Sequence, residues 1–153
     1  MLKLFRNKSI RIVDGRAVDG YVDYVEHNED IHENVCIFKN THETDFYSAK
    51  PRTGLVNSQV VIFDRCDENF VCYSIHNDRL FPWVKVIILN SRPCEAITIQ
   101  RMEQRQGITF YIHEKWWSYR ERWGRDTRSS YESSHIRMID STEYDSTIAS
   151  LHN

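Results

Sequence analysis

Through most of this chain apolar residues either alternate with polar ones or gather in short unbroken runs, and only late do they recur every three or four positions. Leu2, Leu4, Ile10 and Ile12 keep a period of two, which is the signature of a strand half-buried in a sheet. Asp14-Gly15 predicts a turn, and Tyr21 to Val25 a further extended stretch. Val35 to Phe38 reads as a short buried strand. Val60–Phe63 and Phe70–Ile75 predict a hairpin around the polar turn DRCDEN, and Trp83–Leu89, rich in β-branched residues, predicts a strand long enough to cross a sheet. Ala96–Met102 and Ile108–Ile112 predict a second hairpin around EQRQG, with Gly107 free to take a positive φ.

The period then changes. Ile112, Trp116, Tyr119 and Trp123 stand at spacings of four, three and four, which places them on one face of a helix that Gly124 would end. HIRMI predicts a last edge strand, and Ile148 with Leu151 a short C-terminal helix. The expected fold is therefore mainly β with a C-terminal helix: an antiparallel sheet, as a sandwich or partly open barrel, packed by an aromatic helix over 112–124. The connections look too short for repeated crossover helices, so a parallel arrangement is not expected. One domain over 1–153 is expected, with 39–58 and the tail 141–153 as its mobile parts, and no internal sequence repeat is visible.

Composition narrows the class. At 153 residues, 41% hydrophobic and 27% charged, with five Gly and three Pro, the chain suits one packed core rather than disorder or a fibrous repeat. The longest apolar run, Val84 to Leu89, is interrupted by Lys85, so a membrane span is not expected. The charged N-terminal stretch does not read as a signal peptide, and the expected location is the cytoplasm. In that setting Cys36, Cys66, Cys72 and Cys94 read as thiols, and no CxxC pair suggests zinc.

The net charge is −2, which gives no help to general polyanion binding. Its distribution is uneven: seven basic and four acidic residues lie between Arg101 and Arg128, whereas six acidic and two basic lie between Glu26 and Lys50. A positive stretch framed by acidic sequence suits a specific docking face.

That stretch supplies the main functional expectation. Trp117 falls off the apolar stripe, beside Arg120, and an exposed Trp among arginines is the composition of an interface hot spot. Trp117, Arg120, Arg125 and Arg128 are the expected partner contacts of a non-catalytic binding or assembly module, its partner another protein or a second copy of itself. Arg101, Arg105 and Arg137 are candidate anion contacts if the sheet gathers them. Nucleic acid is the less favoured partner.

The rival expectation is a small metal-independent enzyme or nucleic-acid-processing or binding module using histidines and arginines. Its candidates are His76 and Asp78 at a strand exit, His42 in an HET sequence, and His113 before the aromatic helix. Each has an ordinary structural reading beside it, since HND-R is also plain turn composition. Asp14, Asp19, Asp23, Glu26, Glu29, Asp30 and Glu33 lack the alternation and central Gly of a calcium loop and read as a solvated face. No glycine-rich phosphate loop, GxSxG elbow or HExxH helix occurs, so no cofactor or metal is expected.

Overall fold

The computed structural model describes residues 10–15, 34–41, 58–76, 83–93, 96–117 and 135–151. They form a six-stranded sheet, β1 (Ile10–Asp14), β2 (Val35–Lys39), β3 (Val60–Asp64), β4 (Val86–Asn90), β5 (Thr109–His113) and β6 (Ile136–Ile139), in that spatial order. Every neighbouring pair is parallel. Among the described residues four helices accompany it: α1 (Glu68–His76), α2 (Ala96–Gln104), α3 (Glu114–Trp117) and α4 (Ser141–Leu151).

This overturns the antiparallel sandwich or barrel. Phe70–Ile75 is not the second arm of a hairpin, because Asp67 starts a helix there: its carboxylate accepts the Phe70 N–H at 2.7 Å and its carbonyl the Val71 N–H at 3.2 Å. Ala96–Met102 is likewise helical, with Thr98 and Met102, four apart, both fully buried. Gly107, at φ 82, turns the chain from α2 into β5. Once these two segments are crossovers, the connections have the length that parallel strands require. Nor is the protein predominantly β, since 33 described residues lie in helices against 29 in strands. The aromatic helix expected over 112–124 is corrected too: Ile112 belongs to β5, and the described helix is the four residues of α3. The edge strand at HIRMI is β6, and the C-terminal helix is α4, begun by Asp140, whose carboxylate accepts the Glu143 N–H at 2.8 Å.

Register shows a regular step. Ile10 pairs with Val35, Val35 with Val60, Val60 with Val86, Val86 with Thr109 and Phe110 with Ile136, so successive strands are offset by 25, 25, 26, 23 and 26 residues. A parallel sheet that adds each strand beside the last keeps its right-handed crossovers on one face. Consistent with this, Cys66, Phe70, Val71, Ile75, Val84, Met102 and Ile108 from the crossovers all pack into one core with Phe38, Phe63, Leu89 and Ile112. We refer to this as the first face.

The second face is covered differently. Val35, Ile37, Val60, Ile62 and Ile88 form a separate apolar cluster, and Tyr144 and Leu151 of α4 pack onto it, with Ile148 half-buried beside them. Strands enclosed on both sides have no reason to alternate, which is why VCIF, VVIF and VIIL are unbroken apolar runs.

Candidate functional site at the strand carboxyl ends

Each of the first five strands ends in a polar residue: Asp14, Lys39, Asp64, Asn90 and His113. Asp14 pairs with Lys39, Lys39 with Asp64 and Asp64 with Asn90, so these positions form a row across the carboxyl end of the sheet. The row lies two residues beyond Ile37, Ile62 and Ile88, which puts it on the second face.

The backbone ladder continues one step past this row. Gly15 N–H donates to Lys39 O at 2.8 Å, Asn40 N–H to Asp64 O at 3.0 Å and Arg65 N–H to Asn90 O at 2.8 Å. A Cβ on Gly15 would collide with the Asn40 carbonyl, so the close approach requires glycine. Asn40 and Arg65 both take left-handed conformations, at φ 49 and 54. Asn tolerates that region well, whereas a longer side chain such as Arg is costlier there. Past this point Cys66 Sγ donates to Phe38 O at 3.2 Å and Ser91 Oγ to Phe63 O at 2.9 Å, one bond repeated a strand further on. Burial pushes the Cys66 thiol up to about 12, with the nearby Asp64 charge adding to the effect.

Asp64 is the centre of the row. It is buried, and its Oδ1 accepts the Tyr144 hydroxyl at 2.8 Å and Asn90 Nδ2 at 2.9 Å. Its Oδ2 accepts Arg65 Nε and Nη2, each at 3.1 Å. Four donors thus meet the carboxylate, and its acceptor capacity is filled. Burial, then the Asp64 charge, raises the Tyr144 phenol well above its ordinary value, so Tyr144 stays a proton donor. Asn90 is fixed in turn by Trp116, whose Nε1 donates to Asn90 Oδ1 at 3.2 Å.

His113 borders this network. Its ring meets Tyr144 edge-on at 5.2 Å, and its Nδ1 accepts the Lys115 N–H at 3.0 Å. Ser141 Oγ donates to Glu114 Oε1 at 2.6 Å, tying the start of α4 to α3. Between α4 and the sheet lies a cleft of about 460 Å³, lined by Ile37, Lys39, Asp64, Arg65, Asn90, Tyr144, Asp145, Ile148 and Ala149.

The residues expected from sequence are dispersed by comparison. His76 ends α1 on the first face, with its Nε2 3.5 Å from Thr98 Oγ1, while His113 stands on the second. His42 and Asp78 lie outside the described residues, as do Arg120, Arg125 and Arg128. Trp117 is half-buried against the first-face core. Arg101 is on α2 rather than on a strand, Arg105 follows that helix with its Nη1 3.5 Å from Ile75 O, and Arg137 is exposed on β6. Cys36, Cys66 and Cys72 are free thiols, and Cys94 lies outside the described residues.

A family model matches residues 35–124, more than half of the chain. The chain belongs to the family of unknown function DUF5845. The matched stretch contains Lys39, Asp64, Arg65, Asn90 and His113, and ends before Tyr144 and Asp145 of α4. No curated protein and no solved structure matches the chain. Among the described residues no His, Cys, Asp and Glu side chains gather in a group that could hold a metal ion, and no helix is long and apolar enough to cross a membrane.

Proposed function

We propose that this chain is an anion-recognising domain whose site is the cleft at the carboxyl ends of β2, β3 and β4, with Lys39 and Arg65 as the groups that hold the ligand. This is nearer to the second of the two expectations drawn from sequence, but without catalysis and without its candidates His76, Asp78, His42 and His113: Lys39 and Arg65 take the role of anion contacts for which Arg101, Arg105 and Arg137 were the sequence candidates. The observation that carries the reading is Arg65. A long cationic side chain sits at a left-handed position, φ 54, where its counterpart one strand earlier is Asn40. Backbone strain of this kind is kept where the side chain has a use.

The electrostatics support the same reading. The Arg65 side chain is 62% exposed, so its pair with Asp64 is screened by water and leaves guanidinium donors for a ligand. Lys39 lines the cleft with no ion pair among the described residues. Asp64 orients Arg65 and has no capacity left to act as a base, and Tyr144 holds its proton, so recognition is favoured over proton-transfer catalysis.

The test is calorimetric titration of inorganic phosphate and of acetate at low and high salt, with circular dichroism to verify folding. Saturable binding that weakens with salt is expected, and the Lys39→Ala, Arg65→Asn double variant should lose about tenfold or more in affinity. Absence of saturable binding, or equal affinity in a folded double variant, would contradict the proposal.

A further inference from the structure

The cleft holds more than its two cations. Asp145, one residue beyond Tyr144 on α4, also lines it, and its carboxylate has no ion pair among the described residues. The other carboxylate of the cleft, Asp64, already accepts four donors and has nothing left for a ligand's ammonium. Ile37 on the sheet, with Ile148 and Ala149 on the helix, supplies an apolar wall. The cleft thus carries charges of both signs beside an apolar surface, and at about 460 Å³ it falls at the small end of ligand sites, which run roughly 300–1,000 Å³.

A bare anion would leave Asp145 facing it as a repulsive charge. A ligand with an amino group turns that repulsion into a charge-assisted hydrogen bond. We infer that the cleft takes a small zwitterion, its anionic group on Lys39 and Arg65, its ammonium on Asp145 and its apolar body against Ile37, Ile148 and Ala149. The inference rests on the anion-recognition reading and narrows it to an amino-acid-like ligand.

The experiment titrates the whole chain with L-leucine, with 4-methylpentanoate, which lacks the amine, and with isopentylamine, which lacks the carboxylate. A second zwitterion, 6-aminohexanoate, is compared with hexanoate so that charge spacing does not decide the result, and inorganic phosphate is the reference anion. At least one zwitterion should bind about tenfold more tightly than its singly charged analogues. In Asp145→Asn that preference should vanish while phosphate binds more tightly, because the repulsive charge is gone. Two opposite changes from one substitution are not what a loss of folding would produce.

Zwitterions no tighter than their des-amino analogues, or a preference that survives Asp145→Asn, would overturn the inference while phosphate binding keeps the anion site standing. If neither phosphate nor any zwitterion binds saturably, both readings fall.

Discussion

The two faces of the sheet are built from similar strands and closed by different means. On the first face the crossovers lay Phe70, Val71, Ile75 and Met102 over Phe38, Phe63, Leu89 and Ile112, and Phe38 stacks on Phe63 at 5.6 Å with Phe70 edge-on to both. On the second face smaller aliphatics meet α4, and the strand ends carry Lys39, Asp64 and Asn90 instead of another apolar row. Apolar contacts do not choose a ligand, whereas buried polar groups require partners in fixed places. The first face therefore carries the burden of stability, and the second combines a modest core with the polar cluster proposed as the ligand site.

The sharpest way to break this contrast is Phe63→Ala. It removes a fully buried ring from the first face and should cost about 3–5 kcal/mol in denaturant unfolding. A loss below about 1 kcal/mol would show that the stacked rings do not dominate. On the second face Tyr144→Phe deletes a single hydroxyl and removes one of the donors to Asp64, with an expected loss of about 1–3 kcal/mol. Equal losses from the two substitutions would erase the distinction.

Alkali separates the faces by another route. Cys66 on the first face and Tyr144 on the second both hold their protons more tightly when folded than when unfolded. The unfolded chain therefore releases these protons first. Stability is intact below about pH 9 and falls as pH rises towards about 12 through the Cys66 contribution, by at most about 1.4 kcal/mol per pH unit for each group. Tyr144 adds to the fall at higher pH. Cys66→Ala and Tyr144→Phe should each flatten the stability profile in their own range, and unchanged slopes in both variants would count against the burial of these groups.

The smallest effect on folding is expected at Arg65. Arg65→Asn relieves the left-handed backbone and loses only a screened ion pair, so stability should change by less than about 1 kcal/mol in either direction. Anion affinity should nevertheless fall. A large destabilisation would make Arg65 a structural residue of the strand end rather than a ligand group.

Much of the sheet was legible along the chain. Val35–Phe38, Val60–Phe63, Trp83–Leu89, Ile108–Ile112 and HIRMI all announce strands, because β-branched and aromatic runs of that length fit little else. The direction of pairing was misread for two local reasons. FVCYSI and AITIQRM contain enough β-branched and aromatic residues to pass as strands, while the cap that decides the first of them, Asp67, sits inside what looked like a hairpin turn. The unbroken runs VCIF, VVIF and VIIL also lack the alternation of a sheet with one wet face, and that signal favoured parallel strands.

The site was harder to see. Of its row His113 stood among the candidates, as a histidine before a helix rather than as the end of a strand, and Asp14 was read as part of a solvated acidic face. The available signal was the polar residue closing each run, in IRIVD, VCIFK, VVIFD, VIILN and TFYIH, at steps close to 25 residues. Nothing local, however, links Tyr144 to Asp64, 80 residues earlier, since that contact exists only after α4 folds back over the second face. Long-range polar pairing of this kind leaves no periodicity to read.

Mapping backbone amide chemical shifts during a phosphate titration tests the central claim most directly. Perturbations should gather on Lys39, Asp64, Arg65, Asn90 and the first turns of α4 and saturate together. Shifts gathered instead around Arg101, Arg105 or Arg137, with the strand ends silent, would contradict the assignment of the cleft.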